Sequence, residues 1–161
     1  YGLAGQDVDP DKELGFNGIY RVSPEGEVEL LVHDQTRPNG LGLSPDERTL
    51  YVANSDRSDK VWYAYDVLED GTLASGRVFY DVNDQEAPGA ADGMAIDRNG
   101  NLFATGPGGI WVISPDGTHL GSIQPDEVPA NAGWGDDGNT LYMTGRTGLY
   151  RIRLNTGGAI P

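Results

Sequence analysis

Apolar residues in this chain fall into short runs of β-branched, aromatic and aliphatic side chains, each closed by a cluster of Asp, Asn, Gly or Pro. No stretch longer than a few residues carries a helical period, so the pattern predicts strands joined by tight turns. The pattern also recurs. Segments 39–54, 92–106 and 131–145 open on Asn39, Asp92 and Asn131. Each predicts a strand, a turn rich in Asp, Asn and Gly, and a second strand ending on a small residue. The starts lie 53 residues apart (39 to 92) and then 39 apart (92 to 131), the spacing of a repeat built from one sheet per unit.

Further strands are predicted over 61–66 and 77–82, over 109–114 and 120–123, and over 149–154, with 18–23 and 28–32 ahead of the first repeat. Pro24-Glu-Gly-Glu27, Glu69-Asp-Gly-Thr72 and Pro115-Asp-Gly-Thr118 separate them. Such turns demand a positive φ, which glycine supplies. The count is two, four, four and three strands. Four-stranded antiparallel meanders at this period predict an all-β protein, a β-propeller with two complete blades and two incomplete ones. A ring closes only on whole blades, so the segment is expected to belong to a longer chain.

Composition narrows the partners. Across 161 residues the net charge is −14, which repels nucleic-acid phosphates and anionic membrane surfaces. No apolar run reaches the length of a membrane span. The charge is compatible with a divalent cation or a neutral substrate. The absence of cysteine removes disulfides, thiolate catalysis and zinc–sulfur sites. It leaves the compartment open between cytoplasm and periplasm for a soluble protein.

Asn39, Asp92 and Asn131 each start the predicted innermost strand of a blade, where side chains from successive blades converge at one mouth of the channel. Hard cations prefer carboxylate and carbonyl oxygens, so an Asn/Asp ring suits them. Asn or Asp before Gly also makes ordinary Asx-turns, and spacing alone leaves both readings open. Trp62, Trp111 and Trp134 are expected between blades, although Trp134, three residues after Asn131, has a second reading at the edge of the pocket beside Asn131. Several patterns carry no site. Asp7, Asp9, Asp11 and Glu13 alternate like a calcium loop without its glycine or flanking helices. Ser44 lacks the closing glycine of a nucleophile elbow. His33 and His119 are isolated at strand ends, and 106–109 reads as a turn.

The run Arg37-Pro-Asn-Gly-Leu-Gly-Leu-Ser-Pro-Asp46 with its continuation to Asn54, the segment Ala91-Asp-Gly-Met-Ala-Ile-Asp97, and Gly108-Gly-Ile-Trp-Val-Ile-Ser-Pro-Asp-Gly117 resemble the gluconolactonase/regucalcin family. The opening Tyr1-Gly-Leu-Ala-Gly5 is similar to that family as well. The resemblance implies a six-bladed propeller when complete, of which residues 1–161 form a C-terminal part with about three blades. It implies one divalent cation held by a Glu, an Asn and an Asp. Asn39 and Asp92 match the last two, and the Glu lies in blades that this sequence lacks. Calcium is the expected ion, with zinc, magnesium or manganese as alternatives.

Such a site suits sugar-lactone hydrolysis. The cation polarises the lactone carbonyl, and Asp92 serves as ligand and candidate general base. Asn131 and Trp134 are candidate substrate-binding residues. A phosphotriesterase-like hydrolase and a non-catalytic binding module are the alternatives on the same scaffold. The expected partners are a sugar lactone and either the missing N-terminal half of the propeller or a second copy. An arc of blades leaves apolar faces and strand edges open, so the isolated segment is expected to associate. Light scattering checks this, and a soluble monomer with a sharp thermal transition would contradict it.

Overall fold

The protein is described by a computed structural model over residues 3–74 and 76–159. Tyr1 and Gly2, which begin the opening stretch compared with the family, lie outside the described residues. Thirteen strands among the described residues form four antiparallel sheets in chain order. Strands β1 (Ile19–Val22) and β2 (Val28–Val32) make the first. Strands β3 (Pro38–Leu43), β4 (Thr49–Asp56), β5 (Asp59–Asp66) and β6 (Arg77–Asp81) make the second. The third holds β7 (Met94–Ile96), β8 (Leu102–Gly106), β9 (Gly109–Ile113) and β10 (His119–Ile123), and the fourth β11 (Asn131–Gly135), β12 (Thr140–Thr144) and β13 (Leu149–Arg153). The two, four, four, three arrangement expected of a propeller arc is the arrangement found. A three-residue 3-10 turn, Gln6–Val8, is the departure in the N-terminal loop.

The middle strands of the two full blades are buried on both faces, which is why they lack a clean apolar–polar alternation. In β4, Tyr51 and Ala53 face the third blade while Val52 faces the first. In β8, Leu102 and Ala104 face the second blade while Phe103 faces the fourth. The layer between the second and third blades is the largest. Trp62 is fully buried there, with its ring centroid 6.4 Å from Trp111 and 6.2 Å from Tyr80. Trp111 anchors its indole N–H on the Pro107 carbonyl at 2.9 Å and stacks on His119 at 4.3 Å. The Ser44 hydroxyl is occupied in the β3–β4 turn, donating to Asp46 Oδ1 at 2.6 Å and accepting from the Thr49 N–H at 3.0 Å.

Two glycines set how closely the inner strands approach. A Cβ on Gly40 would lie 2.1 Å from the Asp92 carbonyl oxygen, and one on Gly93 would lie 2.1 Å from Asn131 Oδ1. The contacts link blade two to three and blade three to four. At the far end of β7, the buried Asp97 accepts from Asn99 N–H (2.9 Å), Asn101 N–H (2.8 Å), Asn101 Nδ2 (2.9 Å) and Thr156 Oγ1 (2.7 Å). That last bond draws the C-terminal segment across the third and fourth blades. There Arg98 N–H donates to the Gly157 carbonyl (2.9 Å) and Ala159 N–H donates to Ile96 (3.1 Å).

Gly93→Ala is expected to destabilise the fold by about 1–3 kcal/mol through overpacking. Gly133, with nothing within 4 Å of a built Cβ, provides the control. Gly133→Ala is expected to be neutral or to stabilise by up to about 1 kcal/mol. Denaturant midpoints of the two variants separate the cases.

Candidate functional site

Asn39 and Asp92 come from consecutive blades and line one open cavity of about 850 Å³. Both occupy breaks in their ladders. Asn39 and Gly40 fall in the register shift of the β3–β4 pair between Pro38 and Leu41. Asp92 does not start its strand as expected, because β7 begins two residues later at Met94. The reason lies in the neighbouring blade. Gly93 gives its N–H to the Ala130 carbonyl of the next blade at 2.9 Å, and the Asp92 N–H reaches the Thr105 carbonyl only at 3.4 Å, sharing itself with Thr105 Oγ1 at 3.2 Å. Irregular strand ends of this kind re-aim side chains, and here two of them turn an amide and a carboxylate toward one space.

Ser55 joins the two residues. Its hydroxyl donates to the Ala91 carbonyl at 2.6 Å, directly before Asp92, and accepts from Asn39 Nδ2 at 3.1 Å. A hydroxyl has one proton. With that proton given to Ala91, Ser55 can only accept from Asn39, which fixes the amide with Nδ2 toward Ser55 and Oδ1 as its opposite pole. The Asp92 carboxylate has no hydrogen bond or ion pair among the described residues. It is half-buried, and burial pushes its carboxyl above the usual range, because desolvation disfavours the charged form. A half-buried carboxylate without a partner is a feature that clusters at functional sites.

Asn131 stands over Gly93 and turns its Oδ1 back onto the Ala132 N–H at 2.8 Å. Its strand is in regular register with β12, and Asn131 is not among the residues that line the cavity, although Ala130 is. Trp134 is also absent from the lining. It packs edge-on against Phe103 at 5.0 Å within the layer between the third and fourth blades, with Gly158 against its ring. The acidic stretch at 7–13 folds on itself, with Asp9 accepting from Gly5 and Asp11 N–H groups and Asp7 paired with Lys12.

Sequence reasoning missed Ser55 and four basic residues on the cavity wall, Arg37, Arg57, Lys60 and Arg146. Ser55 lies one residue past the end of the first repeat, so the repeat pattern carried no signal for it. The basic residues are scattered through turns, where charge usually means only a solvated surface.

The fold and cavity define an arc of a β-propeller with oxygen donors gathered at one end. The SMP-30/Gluconolactonase/LRE-like region matches residues 1–147. A gluconolactonase of Zymomonas mobilis is 40% identical over 98% of this chain and 46% of that protein. A gluconolactonase structure from Xanthomonas campestris aligns with a TM-score of 0.80 and 32% identity, over 89% of this chain and 46% of that one. A calcium-binding regucalcin from Agrobacterium tumefaciens shares the fold at 20% identity and a TM-score of 0.74, over 88% of this chain and 53% of that one. This chain belongs to the SMP-30/gluconolactonase family. It spans about half the length, or less, of the curated relatives it matches.

Ser55→Ala removes both bonds that join Asn39 to Ala91 and is expected to cost about 1–2 kcal/mol. A double-mutant cycle with Asn39→Ala, read by chemical denaturation, is expected to show a coupling of roughly 0.5–1 kcal/mol. Strict additivity would show that the two side chains act independently.

Proposed function

We propose that this chain contributes two cation ligands, Asn39 and Asp92, and the general base of a sugar-lactone hydrolase. The convergence of these residues from positions 53 apart in sequence onto one cavity (39 and 92) supports the reading, together with membership of the family. The donor set fits a hard divalent cation, calcium first: an amide oxygen and a carboxylate, with no imidazole or sulfur among the lining residues. No group of three or more His, Cys, Asp or Glu side chains gathers among the described residues, so the reading calls on a further ligand from the rest of the propeller, the Glu that the resemblance implies. When bound, such a cation supplies positive charge against the oxyanion that develops on a lactone carbonyl.

The chain's own residues carry the proton. The Asp92 carboxylate takes a proton from water as the water oxygen bonds to the carbonyl carbon. The ring C–O bond then breaks, and the proton passes to the departing alkoxide, giving the open hydroxy acid. Partial desolvation raises the Asp92 carboxyl, and a coordinated cation would lower it, so its strength as a base is set by the balance of the two. Ser55 holds Asn39 in register with Asp92. Asn131, beside Gly93 at the same end of the blades, is assigned to the substrate hydroxyls, and Trp134 to packing.

In the full-length protein, Asp92→Ala is expected to lower aldonolactone turnover by about 10²–10⁴-fold. Asn39→Ala is expected first to weaken metal affinity, so that excess calcium partly restores the rate. Titrimetric hydrolysis of D-glucono-1,5-lactone, run beside a phosphotriester, reads both. Near-normal turnover by Asp92→Ala would overturn the assignment, and hydrolysis of the phosphotriester alone would replace the lactone as substrate.

A further inference from the structure

The chain carries 25 acidic residues and 11 basic ones, yet the cavity reverses that balance. Four of the basic side chains line it, Arg37, Arg57, Lys60 and Arg146, against two acidic ones, Glu86 and Asp92. A cavity meant only for a cation and a neutral sugar gains nothing from this, since each added positive charge opposes cation binding. The reversal implies an anion as the other occupant.

Local bonding leaves most of that charge uncompensated. Arg37 is partly neutralised by Asp7, with Nε 3.5 Å from Oδ2. Lys60 Nζ donates to the Gln85 carbonyl at 2.5 Å, a partner without charge. The guanidinium groups of Arg57 and Arg146 have no ion pair among the described residues. Acidic neighbours are present and are occupied elsewhere. Beside Arg57, Asp56 accepts from Ser58 N–H (2.9 Å) and Oγ (2.7 Å), while Asp59 accepts from Asn54 Nδ2 (2.9 Å). Beside Arg146, Glu127 accepts from Thr147 Oγ1 and from the N–H groups of Thr147 (2.9 Å) and Gly148 (3.0 Å). The two arginines occupy the equivalent turns of alternate blades, β4–β5 and β12–β13. The intervening blade, which carries Asp92, has the uncharged Pro107 and Gly108 in that turn.

We infer that Arg57 and Arg146, with Lys60, form a subsite for an anionic substituent on the sugar lactone, so that the preferred substrate carries a phosphate, sulfonate or carboxylate at the end remote from the lactone carbonyl. A planar guanidinium with several N–H donors matches such oxyanions, and its charge persists throughout the working pH range. The turns put this charge at the cavity mouth, away from the interior occupied by the blades' apolar layers. The inference rests on the lactonase reading for its substrate class, while the charge reversal itself does not.

The test compares kcat/KM of the full-length protein for D-glucono-1,5-lactone, its 6-phosphate, its 6-sulfonate and the corresponding uronic-acid lactone. At least one anionic lactone is expected to exceed the neutral one by tenfold or more. In Arg57→Ala/Arg146→Ala, the anionic-to-neutral ratio is expected to fall by about tenfold or more, as charged hydrogen bonds are lost. Arg57→Lys/Arg146→Lys is expected to restore part of it. Calorimetric binding of 6-phosphogluconate against gluconate reads the subsite without turnover. A ratio unchanged in the alanine variant, or gluconate bound as tightly as 6-phosphogluconate, overturns the subsite. Arginine-dependent preference for 6-phosphogluconate with no lactone turned over would uphold the subsite and overturn the lactonase reading instead.

Discussion

The arc is organised by how closely its inner strands can approach. At Gly40 and Gly93 the space that a methyl group would fill is taken by the backbone of Asp92 and the side chain of Asn131. Each of these glycines follows a candidate ligand, so one Asn-Gly or Asp-Gly step does two jobs. The first residue lines the cavity, and the second admits the next blade's first residue. Blade spacing and site geometry are therefore a single quantity. Flexible side-chain repacking between blades has limited power to adjust it, because at Gly40 the obstructing atom is a backbone carbonyl.

Hydrogen-bond direction completes what spacing begins. The Ser55 hydroxyl spans from the second blade to the backbone beside Asp92, and its single proton dictates which way the Asn39 amide faces. Asp92 is left without a bonded partner in a half-buried position, where its charge is costly. Order around an unpaired carboxylate is the pattern of a preorganised site. The lining of the cavity carries four basic side chains against two acidic ones, in a chain whose net charge is −14.

Much of the fold was legible because turn chemistry is local. Pro24 to Glu27 and Pro115 to Thr118 fix hairpins from a few residues, and strand count follows. The convergence of Asn39 and Asp92 on one cavity was legible because a repeat aligns them without any need for contacts. Other features depend on information that no short window holds. The late start of β7 arises because Gly93 donates to Ala130, 37 positions away (93 to 130), instead of to its own sheet. The packing of Trp134 edge-on against Phe103, from the preceding blade, is likewise a contact that no short window shows. Arg57 and Arg146 sit in turns 89 positions apart (57 to 146), and only the structure brings them to one cavity wall.

The C-terminal segment has one more consequence. An innermost blade strand has a free hydrogen-bonding edge along the channel, and free edges invite pairing with other chains. The Ala159 N–H, donated to the Ile96 carbonyl, and the Asp97 to Gly158 bridge beside it cover the edge of β7 at its far end. The Thr156 hydroxyl, held by the buried Asp97, keeps that cover in place. The segment thus acts as a guard against intermolecular sheet growth, and loosening it would expose the protein to aggregation at a point remote from the cavity.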